Sequence, residues 1–238
     1  MANLIQSQPA YLLHSRPYRD TSLLVDFITQ DFGRISAIAR GVRNPKSKTR
    51  ALLQPFIPLV INLSGKNELK TLGQVESQFN SISLKHKALF SALYVNELLV
   101  RLIHKQESDQ EIFSLYTATL NDLSVRSEIE PVLRNFELNL LELLGYGIDF
   151  SILEEASVDK KLTRWYYFHP ETGFQQVNNP NSKAQKYFSS YALQQISEKI
   201  FTSLETQKSA KRLLRVALSS HLGGKPLYSR SLFRKNIG

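Results

Sequence analysis

The 238-residue sequence contains no cysteine. This excludes disulfides, thiolate metal sites, cysteine nucleophiles and iron–sulfur clusters together. The sequence also has no run approaching the roughly 18 consecutive apolar residues of a membrane helix, and no basic-then-apolar signal pattern at its start. We therefore expect a cytoplasmic protein that has no membrane partner.

Residues suited to catalysis are scarce as well. The five histidines never fall at metal-ligand spacing, and none has a cluster of carboxylates beside it. The segment Gly223-Gly224-Lys225 is similar to a phosphate-binding loop but lacks two of its elements. Ser219 replaces the first glycine, and Pro226 replaces the Ser or Thr that would hold magnesium. We predict a protein that is not an enzyme and requires no cofactor and no metal ion.

Acidic residues are missing from two long stretches, residues 32–67 and 206–238. The whole chain has 30 Lys and Arg against 21 Asp and Glu, a formal net charge of +9, which favours a polyanionic partner such as nucleic acid. Residues 1–80 hold ten basic and five acidic residues, residues 81–150 six and ten, and residues 151–238 fourteen and six. Two parts of the chain are thus expected to face a polyanion, while the middle part does something else.

The first eighty residues contain short β-branched or leucine-rich runs bounded by turn residues, a pattern typical of strands. The predicted strands cover residues 10–14, 22–28, 33–39, 56–63 and 69–75. The alternation of apolar and other residues is clearest at Ile57, Leu59, Ile61 and Leu63. Five strands in about eighty residues predict a small closed barrel. The OB-fold is the commonest barrel of this size that binds oligonucleotides, although the strand count fits an SH3-like barrel nearly as well.

From about residue 85 the apolar period becomes helical. Helices are predicted over about 85–104, 109–123, 129–144, 184–204 and 207–222, and Gly145 is the expected C-cap of the third. Residues 151–180 lack this period and contain Trp165-Tyr166-Tyr167-Phe168 followed by turn residues, which indicates a hairpin or loop insertion. The expected class is α+β, with a barrel domain over 1–80 and a helical domain over 81–238 that carries the insertion.

Two groups of cations are the candidate DNA contacts. Within the first acid-free stretch they are Arg34, Arg40, Arg43, Lys46, Lys48 and Arg50. A loop that only aids solubility usually mixes both signs, so we favour phosphate binding over a solvated loop. The second group shares one face of the last predicted helix and consists of Lys208, Lys211, Arg212 and Arg215. A basic helix can also lie on a membrane, but the apolar face of this one is small and lacks aromatic anchors.

Four aromatic residues of the barrel region are candidates for stacking on bases: Tyr11, Tyr18, Phe27 and Phe32. Proteins that bind single strands combine such rings with a basic groove. Most aromatic residues of a small barrel belong to its core, however, and the sequence does not separate the two uses.

Several strings, in order along nearly the whole chain, resemble the RecO family. They are Leu13-His14-Ser15-Arg16-Pro17-Tyr18, Gly33-Arg34-Ile35, Ala39-Arg40-Gly41-Val42-Arg43, Leu53-Gln54-Pro55-Phe56, Tyr94-Val95-Asn96-Glu97-Leu98-Leu99, Arg134-Asn135-Phe136-Glu137-Leu138, and Leu222-Gly223-Gly224-Lys225-Pro226-Leu227. The ordered set is far more specific than any one string.

This resemblance implies an N-terminal OB-fold followed by a helical domain. It also implies DNA repair and recombination in the RecF pathway, at the nucleoid. Expected activities are binding of single- and double-stranded DNA, annealing of complementary strands, and loading of RecA onto strands coated with the single-stranded-DNA-binding protein SSB. Expected partners are RecR and often RecF. The alternative function is that of a basic OB-fold adaptor for structured RNA or a ribosomal particle.

Many members of the family carry a four-cysteine zinc module in the helical part. Because this chain has no cysteine, no such zinc site is possible. Residues 151–180 are therefore expected to be a degenerate remnant of that module.

The resemblance also implies a receptor for the acidic C-terminal tail of SSB in the helical domain. Such a receptor needs an apolar pocket with a cation at its rim. Arg134, Leu138 and Leu141 follow one another at helical spacing and share a face. The alternative is that Arg134 pairs with Glu130 or Glu137 while the leucines fill the core.

Overall fold

The structure, a computed structural model, describes residues 4–78, 82–104, 110–153, 164–178 and 186–235. Its contacts divide the chain into two compact units. Unit 1 comprises Met1–Ile129 and Leu227–Gly238, and unit 2 comprises Glu130–Pro226. Unit 1 thus includes helices as well as the barrel, and the domain boundary near residue 80 stays a prediction. Over the described residues, each helix is too short or too polar to cross a membrane.

The strands of unit 1 form a closed barrel. They are β1 (Leu4–Tyr18), β2 (Ser22–Thr29), β3 (Gly33–Ala39), β4 (Leu59–Ser64) and β5 (Lys70–Ser77). The order around the barrel is β1-β2-β3-β5-β4, with β3 and β5 parallel and β1 closing antiparallel on β4. This is the OB-fold, so the predicted fold class is confirmed and the SH3-like alternative is not needed.

The first strand is three times as long as its predicted segment because it belongs to both sides of the barrel. Its N-terminal part pairs with β4 and its C-terminal part with β2. Register shifts between Ile5 and Gln8 and between Leu12 and His14 let the strand bend around the core. Alternate side chains of the barrel strands point inward and are fully buried, among them Leu12, Val25, Phe27, Ile35, Leu59 and Ile61.

The helices are α1 (Thr49–Leu52), α2 (His86–Leu102), α3 (Gln110–Val125), α4 (Ile129–Leu143), α5 (Ser190–Ser197), α6 (Leu204–His221) and α7 (Ser229–Lys235). The short helices α1 and α7 were not predicted, because a helix of one or two turns has little stability of its own. Glu97 of α2 holds the start of α7. Its carboxylate accepts hydrogen bonds from the backbone N–H groups of Tyr228 and Ser229, at 2.8 Å each, and from the Ser229 hydroxyl at 2.6 Å.

A buried polar network in unit 1 joins α2 and α3 to the irregular part of β1. Asn96 donates from Nδ2 to the carbonyl of Leu13 at 3.0 Å, and its Oδ1 accepts from the Tyr116 hydroxyl at 2.8 Å. Leu13 lies at the register shift of β1, where the regular ladder to β2 is interrupted. Asn96 therefore satisfies a backbone group that the bulge would otherwise leave buried and unpaired.

We expect Asn96→Leu to lower the free energy of unfolding of unit 1 by about 2–4 kcal/mol, because it leaves a buried carbonyl and a buried hydroxyl without their shared partner. Tyr116→Phe, which removes only the hydroxyl, should cost about 1 kcal/mol. Urea unfolding of both variants measures the difference. Equal midpoints for Asn96→Leu and the wild-type protein would contradict this role of the network.

Unit 2 begins with α4, which ends in a Schellman motif at the predicted C-cap. Gly145 has a φ of +77°. The backbone N–H of Tyr146 donates to the carbonyl of Leu141 at 2.8 Å, and the backbone N–H of Gly145 donates to the carbonyl of Glu142 at 3.0 Å. The predicted C-cap is therefore confirmed.

Gly145→Ala tests the motif by backbone conformation alone, since a Cβ at this position would meet no atom within 4 Å. The positive φ should cost about 1 kcal/mol of stability. Gly147→Ala is the matched control, because Gly147 is not in the left-handed region and its Cβ would make only ordinary contacts. If Gly147→Ala destabilised unit 2 as much as Gly145→Ala in thermal unfolding, helix termination would not depend on Gly145.

The predicted insertion contains a hairpin, as expected, and a third strand that was not predicted follows it, beyond residue 180. The strands β6 (Trp165–His169), β7 (Gly173–Val177) and β8 (Tyr187–Ser189) form an antiparallel sheet in the order β7-β6-β8. The single helix predicted over 184–204 is wrong. Residues 187–189 pair with β6 instead, and α5 begins at Ser190 and ends at Ser197. Side-chain pairing in the sheet outweighs the weak helical period here. A zinc-module origin for this sheet stays a prediction.

Candidate nucleic-acid interface

The basic loop, residues 40–50, leaves the barrel after β3 and has a defined conformation. Gly41 adopts a φ of +67°, and backbone N–H groups of Asn44 and Ser47 donate to carbonyls three residues earlier. The Asn44 side chain accepts from the N–H of Lys46 at 3.1 Å. Val42 lies in the barrel core. The loop is thus anchored at its start, and its cations extend from a fixed backbone.

The basic loop is also bound to the turn between β1 and β2. The N–H of Arg43 donates to the carbonyl of Thr21 at 2.8 Å, and its Nη1 donates to the carbonyl of Arg19 at 3.0 Å. The Arg19 guanidinium in turn lies 5.3 Å from the ring centroid of Tyr18. Oligonucleotide-binding OB-folds use this same turn, so Arg19 and Tyr18 join the candidate surface. Arg19 was not predicted from the sequence, because it lies beside Asp20 and outside the acid-free stretch.

A groove of about 840 Å³ runs along the basic loop. Its lining combines apolar side chains with two of the predicted cations, Arg43 and Arg50. The other lining residues are Leu23, Val42, Pro45, Ser47, Ala51, Leu53 and Gln54. A groove that mixes polar and apolar surface and carries two guanidinium groups suits a ligand that has flat apolar parts and negative charge.

Five of the six predicted loop cations are exposed: Arg40, Arg43, Lys46, Lys48 and Arg50. Arg34 is different. Its guanidinium donates to the carbonyls of Val100 and Ile103 at the C-terminal end of α2 and lies 3.5 Å from the carboxylate of Asp26. A cation at this end of a helix satisfies carbonyls that have no partner within the helix. Arg34 therefore holds α2, and it is not part of the exposed surface.

The four candidate stacking rings differ in burial and in their distance from the basic loop. Tyr11 packs against Phe113 and Tyr116, and burial raises its pKa, while Phe27 lies in the barrel core. Phe32 is exposed, but it lies in the turn between β2 and β3, at the opposite end of these strands from the basic loop. Only Tyr18 is next to the loop.

The basic face of α6 in unit 2 is exposed at Lys208, Lys211 and Arg215. Lys211 also donates to Glu130 at 2.8 Å. Arg212 is half-buried, and its Nη2 donates to the carbonyl of Tyr187 at 2.8 Å while its guanidinium lies 4.5 Å from the ring centroid of Phe188. Burial lowers the pKa of Arg212, but an arginine remains charged at neutral pH. This residue attaches α6 to β8 and is not available as a free phosphate contact.

The proposed SSB-tail residues of α4 are buried. Only 4% of Arg134 is exposed, so its guanidinium does not form the rim of an open pocket. Its Nη2 lies 3.1 Å from the Glu137 carboxylate and 3.8 Å from that of Glu130. Leu138 and Leu141 are buried as well. This geometry corresponds to the alternative in which Arg134 pairs with its acidic neighbours and the leucines fill the core.

No group of three or more His, Asp and Glu side chains comes together at metal-binding distance within the segments that the structure describes. The cations, in contrast, are concentrated on the basic loop and on α6. The geometry therefore supplies exposed positive charge beside a groove of mixed polar and apolar lining.

A closed five-stranded barrel of this strand order places the chain among the OB-fold proteins, which bind oligonucleotides and oligosaccharides. Residues 1–79 match the family described as Recombination protein O N terminal, and residues 85–231 match Recombination protein O C terminal. The chain belongs to the RecO family.

Similar proteins match over nearly their whole length. A protein of Cellvibrio japonicus (strain Ueda107), named DNA repair protein RecO, is 40% identical over 231 residues, 96% of this chain and 97% of the relative. A protein of the same name from Haemophilus influenzae (strain ATCC 51907 / DSM 11121 / KW20 / Rd) is 39% identical over 230 residues, 97% of this chain and 96% of the relative. A third, from Tolumonas auensis (strain DSM 9187 / NBRC 110442 / TA 4), is 39% identical over 226 residues, 94% and 93% of the two chains.

Proposed function

We propose that the protein is a DNA repair and recombination protein that binds single- and double-stranded DNA and anneals complementary strands. It helps to load RecA onto single strands coated with SSB. The observation that carries the proposal is the basic loop: five exposed cations on a fixed backbone, beside a groove of mixed polar and apolar lining on an OB-fold barrel. Lysine and arginine side chains displace the counterions condensed on DNA phosphates, and this release supplies most of the affinity of non-specific binding.

Two surfaces share the DNA binding in this proposal. The surface of unit 1 consists of the basic loop and Arg19. The surface of unit 2 consists of the exposed α6 cations Lys208, Lys211 and Arg215. Two cationic surfaces on one chain allow two strands to be held at once, and neutralising their phosphates removes the repulsion that opposes pairing. Arg34 and Arg212 are left out of the surface, because both guanidinium groups are bound to backbone carbonyls.

The proposed partners are the SSB tail, RecR and RecF, at the nucleoid in the cytoplasm. Arg134, Leu138 and Leu141 are left out of the proposed tail interface, because their side chains are buried. The protein carries out no chemistry of its own in this proposal, and any dependence on ATP belongs to a partner.

An annealing assay tests the proposed function. Mixing the protein with complementary oligonucleotides, bare or coated with SSB, is expected to accelerate duplex formation without nucleotide and in the presence of a chelator. Annealing that required ATP or a metal ion would contradict the proposal. Tighter binding to structured RNA than to DNA would favour the adaptor function instead.

A further inference from the structure

The small sheet of unit 2 has one face in the hydrophobic interior and one face outside it. Successive side chains of a strand point to opposite faces. The inner-face side chains are buried, and they are Tyr166, Phe168, Phe174 and Phe188. The outer face carries Trp165 and Tyr167 of β6 and Tyr187 of β8. Three of the aromatic rings are thus not used by the core.

These three rings are neighbours on the outer face. Tyr167 and Tyr187 are directly opposite each other in the register of β6 and β8, and Trp165 lies two residues before Tyr167 on the same strand. Tyr167 is 37% exposed, and the other two are half-buried. Flat rings displayed side by side on a sheet are the arrangement on which unpaired bases stack.

The surroundings of the rings are basic. The ammonium of Lys186 lies 5.2 Å from the ring centroid of Tyr187, and the carbonyl of Tyr187 accepts the hydrogen bond from Arg212. The Arg212 guanidinium itself lies over the inner-face ring of Phe188, so Lys186 is the cation beside the outer rings. In residues 164–178 and 186–197 Glu171 is the sole acidic residue, and it lies in the turn between β6 and β7. A ligand for this face should therefore combine flat apolar groups with negative charge.

We propose that the outer face of this sheet is a stacking platform for the bases of single-stranded DNA. Lys186, beside Tyr187, contacts the sugar-phosphate backbone. The inference rests on the proposed DNA binding and adds a site in unit 2 that recognises bases rather than phosphates alone. A duplex keeps its bases stacked inside, so it cannot use this platform. The platform therefore gives the protein a preference for unpaired strands.

Trp165 is the sole tryptophan of the sequence and reports directly on the platform. The full-length protein is titrated with an oligo-dT, with an abasic oligonucleotide of the same length and charge, and with a duplex. Oligo-dT is expected to quench the fluorescence of Trp165 and to bind roughly ten-fold or more tightly than the abasic strand. The abasic strand and the duplex should bind without comparable quenching.

The variant Tyr167→Ala/Tyr187→Ala should lose roughly ten-fold or more in affinity for oligo-dT and bind the abasic strand as the wild-type protein does. Tyr167→Phe/Tyr187→Phe, which keeps both rings, should retain binding. The matched control is Tyr228→Ala, which removes a ring that is 85% exposed in unit 1. Circular dichroism verifies that each variant is folded.

Equal affinity of the wild-type protein for oligo-dT and the abasic strand would overturn the platform while leaving the proposed DNA binding intact. This comparison uses only the wild-type protein, so it tests the platform even if the alanine variant fails to fold. Quenching by an acidic peptide but not by oligo-dT would overturn it too and indicate a protein segment as the occupant. No binding of any DNA would overturn the proposed function together with the platform.

Discussion

Replacing Arg40, Lys46 and Lys48 by alanine together is expected to weaken DNA binding roughly 10- to 100-fold near 0.1 M salt, because three phosphates lose their cations. All three residues are exposed on the basic loop, and the contacts that hold the loop to the β1–β2 turn come from Arg43, which is retained. The slope of log K against log salt should become shallower by about 2 to 3. Fluorescence anisotropy at several salt concentrations measures both quantities. Because phosphates carry no sequence information, every DNA sequence should be affected alike.

The matched control removes the same charge from another exposed part of unit 1, with Lys85, Lys87 and Arg126 changed to alanine. It should leave the salt slope almost unchanged. If both triple variants lost affinity equally, binding would follow net charge and not the basic loop. A wild-type protein whose affinity hardly changed with salt would contradict the electrostatic interface as a whole.

Arg134→Met is expected to lower the free energy of unfolding by about 3–5 kcal/mol, the range for breaking a buried ion pair. Its partner Glu137 is only 1% exposed and would lose the guanidinium 3.1 Å away. The double variant Arg134→Met/Glu137→Met should recover most of the loss, since no buried charge then lacks its counterion. Urea unfolding of both variants measures the two effects.

Arg126→Met is the exposed control for this pair. Arg126 lies 3.0 Å from Asp122 on the surface of α3, and breaking such a pair should cost less than about 0.5 kcal/mol.

A stable Arg134→Met variant that no longer bound a peptide of the SSB tail would instead support the receptor expected from sequence. Loss of tail binding together with stability would mean that the residue acts through the fold.

Much of the fold follows from local patterns. Alternating Leu59, Ile61 and Leu63 predicted an inward face of β4, and all three are buried. Gly145 ended α4 as predicted, because a left-handed residue after a helix is a local requirement. The third strand of the small sheet was not predictable in this way, since Tyr187–Ser189 is extended only through its pairing with β6.

The candidate interface was predicted in position but not residue by residue. The absence of acidic residues located the basic loop, and five of its six cations are exposed. Arg34 has the same charge and lies in the same stretch, yet it binds the carbonyl end of α2. A side chain of β3 contacts a helix more than sixty residues later, and no local pattern specifies such a contact.

The sequence by itself determined the charge distribution, the period of each element, and the ordered strings shared with the RecO family. All of these depend on which residues are present and on how near neighbours follow one another. Tertiary structure alone decided which cations are free. It bound Arg34 to the carbonyl end of α2 and Arg212 to the carbonyl of Tyr187, and it left Tyr167 on an outer face. The reason is physical: exposure and pairing depend on the distance between groups in space, and segments far apart in the chain set that distance.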